Sequence, residues 1–279
     1  MTLIRDGKPA RALLDLARRH GIEVSDDVTA SELSQAMQER WLRKTEHQYQ
    51  IPGGPPSEED TALLKELGLV DAVHAPSRPY AGALIIGATV VAVRKRLAYL
   101  VAECERNPDA SGFFVTIPTV YTLGGARPLD KDKESPTVLT TPAELPFKDE
   151  SRWTPPAEMP TTEAGMMRLV FEQSDITPWA GVFIDTPLQP TPDGKTRHPN
   201  TTDTAKEFLK VNPKPGTYLA VSSQPFVARQ TLNVQNALPS GYTVVGIGYA
   251  ATTTTPFKTF LDEAARLLYE EVALAKTSA

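Results

Sequence analysis

Five short apolar runs, separated by segments of helical length, constrain the fold of this chain more than any other feature. The runs show no alternation of apolar and polar residues, which is typical of strands buried on both faces of a sheet. They occupy residues 83–86, 113–117, 182–184, 218–221 and 243–247. The segments with helical length and period are residues 89–105, 162–173, 202–210, 225–238 and 256–275. This alternation predicts an α/β fold, namely a three-layer, Rossmann-like domain with a mostly parallel five-stranded sheet.

The first 75 residues have a different pattern, with helical periodicity and no strand-like runs. Thr29 and Glu32 have the spacing of a capping box, and Ser57 precedes an acidic first turn, so both positions predict helix starts. We therefore predict that residues 1–75 form a helical N-terminal segment packed on the main domain. Residues 76–279 are predicted to form the Rossmann-like domain itself.

Residues 127–162 interrupt the alternation with seven prolines and little helical or strand period. Stretches of this length without regular structure are commonly lids, binding loops or disordered segments. Because the segment follows the turn after the second predicted strand, it would lie over the predicted site. A lid that shapes the substrate site and a passive insertion both fit this pattern.

Composition and charge exclude several classes of protein. The 279 residues are 41% hydrophobic and 23% charged, as in an ordinary globular protein, and the net charge of −5 argues against a general nucleic-acid binder. The longest apolar stretch, residues 81–93, is too short to cross a bilayer, and no signal-peptide core is present. Cys104 is the only cysteine, and we interpret it as a buried structural thiol. We expect a soluble, cytoplasmic protein without a nucleic-acid or membrane partner.

Small or polar residues follow the predicted strands at the points where the strands end. In a parallel sheet these ends share one edge, and ligands bind there near the point at which the strand order reverses. Glycines allow close approach of the backbone, free N–H groups at helix starts attract anions, and arginines supply forked contacts to phosphate or carboxylate. These features predict a site for a small anionic or nucleotide-like ligand. Its candidate binding residues are Gly87, Arg94, Gly124, Gly125, Arg127, His198, Asn200, Thr201, Ser222, Ser223, Gln224 and Arg229.

Standard nucleotide and hydrolase motifs are absent from the sequence. It contains no G-x-G-x-x-G after the first strand, no G-x-x-x-x-G-K-[ST] and no G-x-S-x-G. The histidines, His20, His47, His74 and His198, lack metal-ligand spacing with carboxylates or the cysteine, so no metal site is predicted. Only His198 lies in a candidate site segment, and we interpret the others as surface or packing residues.

Five segments occur in a characteristic order between about residues 80 and 250. They are ALIIGATVVAVRKRLAYL from residue 83, LGGARP from residue 123, TTEAGMMRLVF from residue 161, HPNTTDTA from residue 198 and VSSQPFVARQ from residue 221. Together they resemble the DUF218 family, also called YdcF-like or ElyC/SanA-like. The resemblance implies a Rossmann-like fold with a nucleotide-type or phosphorylated ligand, and it makes S-adenosylmethionine a possible cofactor. It also implies that Glu163 occupies the acidic position of the family.

Several positions differ from the family pattern. His198 stands where the family has serine, Asp203 where it has glutamate, and Thr204 where it has asparagine. Pro225 and Phe226 replace a Tyr-His pair. The chain therefore lacks an imidazole where the family has one, and chemistry that depends on that group does not transfer to this protein.

Two functions from different classes fit these residues. In the first, the protein is an enzyme that acts on a phosphorylated or nucleotide-like small molecule by hydrolysis or group transfer. Its candidate acids and bases are Glu163, Asp185 and Asp203. In the second, a non-catalytic binding or sensor protein uses the same pocket for a nucleotide-type ligand such as S-adenosylmethionine. An interaction module in the helical segment is a third interpretation, and the sequence does not indicate the substrate or the oligomeric state.

Overall fold

A computed structural model describes residues 2–106, 112, 114–176 and 179–277 of the chain. Within these residues the α-helices agree with the predicted helical segments and add one short helix, α5. In chain order they are α1 Arg11–Arg19, α2 Ala30–Trp41, α3 Glu58–Glu66, α4 Val90–Glu105, α5 Pro136–Thr140, α6 Glu163–Gln173, α7 Thr201–Phe208, α8 Val227–Ala237 and α9 Phe257–Thr277. Two short 3-10 helices, Glu46–Gln50 and Leu209–Val211, complete the helical elements of the described residues.

A five-stranded parallel sheet forms the centre of the α/β part of the chain, as predicted. Its strands are β1 Gly82–Ile86, β2 Thr119–Gly125, β3 Ala180–Thr186, β4 Gly216–Ser223 and β5 Tyr242–Tyr249. The order across the sheet is β5-β4-β1-β2-β3, and every neighbouring pair is parallel. The order reverses between β1 and β4, so the carboxyl ends of these two strands form the topological switch point, where Rossmann-like folds bind ligands.

The second strand differs from the prediction. The run at residues 113–117 contributes only Val115–Thr116, which pairs with Arg78–Pro79 outside the main sheet, and Phe113 lies outside the described residues. The sheet strand is β2, whose sequence TVYTLGG has polar threonines and two final glycines. The two glycines disfavour a strand by composition, but the strand lies between β1 and β3, and pairing on both sides outweighs this preference.

Alternate residues of the strands face two separate apolar cores, and this creates three layers. Ala83 and Ile85 belong to a core with buried residues of α4 and α6. Leu84 and Ile86 belong to a second core with Ala205 and Phe208 of α7 and Val234 of α8. Burial on both faces explains why the strands read as continuous apolar runs in the sequence.

The chain divides into two compact units, and the division differs from the predicted one. Residues 73–223 and 233–249 form the sheet unit. Residues 1–72, 224–232 and 250–279 form the helical unit, so α9 groups with α1–α3 and not with the sheet domain. In the helical unit, Trp41 of α2 and Phe260 of α9 are buried in one apolar core. Of the helices in the described residues, none combines the length and apolar character needed to span a bilayer.

The proline-rich segment 127–162 is held to the sheet unit by defined hydrogen bonds. Its two ends meet where the Leu129 amide donates to the Thr161 carbonyl at 3.1 Å. Further along, the Lys148 amide donates to the carbonyl of Gln173 at the end of α6, at 2.8 Å. Leu139 of α5 is buried and belongs to the apolar core that includes α4. The segment is thus an ordered, closed loop with its own short helix.

Candidate functional site

The candidate site lies in the sheet unit, at the carboxyl ends of β1, β2 and β4. Gly87 directly follows β1, Arg127 is the second residue after β2, and Ser222 and Ser223 end β4. Glu163 is the first residue of α6, whose start is fixed because the Thr162 side chain accepts a hydrogen bond from the Gly165 amide. The structure therefore brings together Gly87, Arg127, Glu163 and Ser223 from the predicted set.

The Glu163 carboxylate is packed closely against the end of β1. The Glu163 amide donates to the Arg127 carbonyl at 2.8 Å, and this bond ties the start of α6 to the end of β2. A Cβ atom placed on Gly87 would lie 2.7 Å from Glu163 Oε2, so only glycine leaves room for the carboxylate. The Glu163 side chain is 14% exposed, and burial raises its pKa even though the Arg127 guanidinium opposes this effect.

Arg127 is engaged by protein groups on all its nitrogens. Its Nε donates to Glu163 Oε1 at 3.3 Å, and Nη1 and Nη2 donate to the two oxygens of Glu134 at 3.0 and 3.1 Å. The carbonyls of Pro128 and Ala88 accept further hydrogen bonds from it. Arg127 therefore fixes the positions of two carboxylates, and a ligand anion would have to displace one of them to reach it.

Glu134 occupies the N-terminus of α4, where the sequence predicted an anion-binding helix start. Its Oε1 accepts from the Val90 amide at 3.1 Å, and its Oε2 accepts from the Asp130 amide at 2.8 Å. Burial alone would raise the pKa of Glu134, but the hydrogen bonds from Arg127 and these amides outweigh it and hold the pKa below its usual value. A carboxylate of the chain thus already neutralises this helix terminus.

Arg96 is the buried cation of the switch point. Its Nη1 donates to the carbonyls of Ile86 and Gly87 at 2.6 and 3.0 Å, and Nη2 donates to Ser223 Oγ at 3.2 Å. These bonds join the ends of β1 and β4. Arg96 is 3% exposed, its Nε has no hydrogen-bond partner among the described residues, and burial lowers its pKa to about 10. In that part of the chain it donates hydrogen bonds only to neutral groups, and Glu163 attracts it electrostatically.

The two glycines at the end of β2 serve close packing between elements. A Cβ on Gly124 would lie 2.5 Å from the Cα of Ala164 in α6. A Cβ on Gly125 would overlap the ring of Pro199, which precedes α7. Their role in this structure is therefore to let β2 approach α6 and the α7 loop, and nothing in these contacts requires a ligand.

The α7 candidates form a self-contained helix cap. Asn200 Oδ1 accepts from the Asp203 amide at 3.1 Å, and Asp203 Oδ2 accepts from the Asn200 amide at 2.8 Å. Arg197 Nη1 also contacts Asp203 Oδ2, at 2.6 Å. Burial acts against ionisation, but these hydrogen bonds outweigh it and lower the pKa of Asp203. Thr201 begins α7 beside this cap, and His198 is exposed.

The remaining candidates have contacts elsewhere. Asp185 is exposed and lies within β3. Arg94 is buried, but its Nη2 donates to the Leu139 carbonyl of the 127–162 segment at 2.9 Å. Gln224 and Arg229 belong to the helical unit. There the side-chain Nε2 of Gln224 donates to the carbonyls of Gly68 and Asp71. Arg229 donates from Nε and Nη2 to the two carboxylate oxygens of Glu263, at 2.6 and 2.8 Å.

Arg96 and Glu134 are the important residues that sequence reasoning did not select as ligand contacts. Arg96 has a sequence signal, because it lies three residues after Val93 and next to Leu97, both on the apolar face of α4. Glu134 has no such sequence signal, because it lies in the segment 127–162, which has no periodic pattern. Cys104 is half-buried, and burial raises its pKa to about 11, as expected for a structural thiol.

No group of three or more His, Cys, Asp or Glu side chains in the described part of the chain is arranged to hold a metal ion. Comparison of the whole chain with protein-family models, with curated proteins and with solved structures finds no match.

Proposed function

We propose that the sheet unit is an enzyme domain that acts on a phosphorylated or nucleotide-like small molecule by hydrolysis or group transfer. The reaction takes place at the switch point between β1 and β4, and Glu163 is its general acid or base. The observation that carries this proposal is the Glu163 carboxyl, which is mostly buried at the strand ends and has a raised pKa. Such a group retains its proton closer to neutral pH and can exchange it with a reacting oxygen.

The charge of Arg96 supports an anionic ligand. Its guanidinium is buried and, among the residues that the structure describes, donates hydrogen bonds only to carbonyl and hydroxyl oxygens, so no carboxylate there neutralises its charge through a hydrogen bond. A buried charge without such a partner favours a ligand of opposite sign nearby. S-adenosylmethionine fits this environment poorly because its sulfonium group would add a second positive charge.

In this proposal Asp203 and Asp185 are not the catalytic acids. Asp203 is held ionised by Arg197 and the Asn200 amide, which makes it a poor proton donor near neutral pH. Asp185 is exposed on β3, the edge strand of the sheet. Arg127 positions Glu163 and Glu134. The resemblance to the DUF218 family supports the same ligand class.

The test begins with a thermal-shift screen of the full chain against nucleotides, sugar phosphates and S-adenosylmethionine, because a ligand that binds the native state raises Tm. With a ligand that the protein turns over, Glu163→Gln should lower kcat by about a hundredfold or more and change Kd by less than about threefold. Glu172→Gln, which alters a half-exposed carboxylate on the same helix, is the matched control and should retain full kcat.

The non-catalytic alternative has one observation in its favour. Glu163 already pairs with Arg127, as a purely structural carboxylate would. If a ligand binds and the wild type turns over none of the ligands that bind, the enzyme assignment is wrong, and the sheet unit is a binding or sensor domain. A turnover that Glu163→Gln leaves unchanged would overturn the assignment of Glu163 as the general acid or base.

A further inference from the structure

A second group of titratable side chains lies in the sheet unit, apart from Glu163 and Arg96. We call His74, Tyr99 and Glu103 the imidazole cluster. Tyr99 and Glu103 lie one turn apart on α4. His74 is positioned by its neighbour Val73, whose amide donates to the Gly248 carbonyl of β5 at 2.9 Å while the Gly248 amide donates back at 3.0 Å. The backbone of the histidine is thus held by the sheet.

The hydrogen bonds of the cluster determine which nitrogen of His74 carries the proton. Glu103 Oε1 lies 2.7 Å from His74 Nδ1. The other oxygen, Oε2, accepts from the Ala75 amide at 2.7 Å and contacts Arg106 Nη2 at 3.2 Å, so the carboxylate is surrounded by N–H donors. The Tyr99 hydroxyl donates to the Val73 carbonyl, and its oxygen faces Nδ1 at 3.2 Å. Both neighbours of Nδ1 are acceptors, so Nδ1 carries the proton and the neutral ring has its lone pair on Nε2.

Exposure differs sharply within the cluster. The Glu103 side chain is 2% exposed and the His74 side chain is 54% exposed. A buried carboxylate and the Tyr99 hydroxyl therefore occupy the Nδ1 side of an imidazole that is more than half exposed. A carboxylate on one ring nitrogen stabilises the positive charge that the ring acquires when the other nitrogen forms a bond, and this is how nucleophilic and basic histidines are activated.

The other histidines lack this arrangement. In the helical unit, His20 points the opposite nitrogen at its acid, with Nε2 lying 2.8 Å from Asp60 Oδ1, so its lone pair is on Nδ1. Its side chain is only 20% exposed. Within the described residues, no carboxylate lies at hydrogen-bond distance from the rings of His47 or His198. His198 is exposed and serves as an internal reference for an imidazole without an acidic partner.

We propose that His74 is a phosphoryl acceptor, modified at Nε2 by a donor that contains a phosphorus–nitrogen bond. The Nε2 lone pair forms the new N–P bond while the donor's P–N bond breaks. The electron pair of that bond leaves with the donor nitrogen, which is already protonated and departs as a neutral amine. The ring keeps its Nδ1 proton and becomes positively charged, and the Glu103 carboxylate stabilises this charge. Arg106 offsets the charge of Glu103, which limits repulsion of the incoming anion.

The experiment treats the folded full-length chain with phosphoramidate at about pH 8, where imidazole is neutral. Peptide mass spectrometry gives the rate at each histidine, and ³¹P NMR gives the ring nitrogen that is modified. We expect His74 to react about tenfold faster than His198 in the same molecules, with the phosphoryl group on Nε2. In urea the two rates should agree within about twofold, because the unfolded chain has no cluster.

Two substitutions assign the effect to the cluster. Glu103→Gln removes the charge behind the ring and should bring the rate at His74 to within about threefold of the rate at His198. Tyr99→Phe removes the second acceptor of Nδ1 and the hydrogen bond to the Val73 carbonyl, but it keeps the Glu103 carboxylate. It should leave the His74 rate within about twofold of the wild type. The proposal fails if, in the folded wild type, His74 reacts no faster than His198, a comparison that needs no variant. Because no ligand of the switch point is used, the result is independent of the proposed function.

Discussion

Glu163 and Asp203 both stand in the first turn of a helix, yet their pKa values shift in opposite directions. Asp203 accepts hydrogen bonds from a guanidinium and an amide, and these outweigh its partial burial and lower its pKa. The Glu163 side chain is shielded from solvent to a similar extent, but its contact with Arg127 does not compensate for burial, so its pKa rises. Carboxylates at similar helical positions are thus suited to different tasks, one to cap a helix and the other to transfer protons.

The cap at α7 leads to a pH-dependent prediction. Because the pKa of Asp203 is lower in the folded chain, its ionised form stabilises the fold above the usual pKa of aspartate, and this stabilisation is lost as the pH falls through the folded-state pKa. Asp203→Asn should lower the free energy of unfolding by about 1 kcal/mol at pH 7. The difference from the wild type should shrink only as the pH falls below the usual pKa of aspartate and through the lower folded-state pKa.

Urea unfolding across this pH range provides the measurement. Asp185→Asn, at an exposed position of β3, is the control and should change the free energy of unfolding by less than about 0.5 kcal/mol at pH 7. A constant difference between Asp203→Asn and the wild type from neutral to acidic pH would show that the charge of Asp203 does not stabilise the cap.

At the scale of elements, the sequence was most informative where a local interaction defines an element boundary. Thr29 and Glu32 form the predicted capping box at α2, and their hydrogen bonds are reciprocal. β2 could not be located in this way because its position depends on pairing with β1 and β3, which are distant in sequence. Contacts between segments that are distant in sequence are equally hard to predict at the candidate site. Periodicity identifies α4 as a helix, but it does not show that Glu134 reaches the start of that helix.

The approach of β2 to α6 can be tested at Gly124. A Cβ at this position would lie 2.5 Å from the Ala164 Cα, a backbone atom that cannot rotate away. Gly124→Ala should therefore force the two elements apart and lower the free energy of unfolding by about 1–3 kcal/mol, measured by denaturant unfolding.

Gly53→Ala provides the control for the glycine-to-alanine change itself. A Cβ on Gly53 has no heavy atom within 4 Å, and its backbone is not in the left-handed region. The free energy of unfolding of Gly53→Ala should be unchanged or raised by up to about 1 kcal/mol, because alanine restricts the unfolded chain. Equal stabilities of Gly124→Ala and Gly53→Ala would mean that the contact between β2 and α6 is not tight.

At the scale of the whole molecule, the largest departure from the sequence-based prediction concerns α9. Its length and apolar period were predicted closely, and so was its existence as the last helix. The helices that pack against α9 were not predicted, because an amphipathic stripe shows that a helix is buried on one face without showing what covers it. In the structure α9 shares its core with residues more than 200 positions earlier in the chain, among them Trp41 of α2.

The shared core predicts the consequence of removing the first 72 residues. Phe260, Leu261 and Leu268 of α9 are at most 2% exposed, and they share one core with Leu13 and Leu33 of the N-terminal helices. Deleting residues 1–72 would uncover this face of α9 and create a large contiguous apolar patch. We expect the truncated chain to aggregate, with its soluble fraction reduced on the order of tenfold in sedimentation and size-exclusion experiments.

Supplying residues 1–72 as a separate polypeptide during refolding should restore the soluble fraction, because it replaces the missing half of the core. A truncated chain that remains monomeric, with the α9 amides protected from hydrogen exchange, would show that α9 is stable without the N-terminal helices.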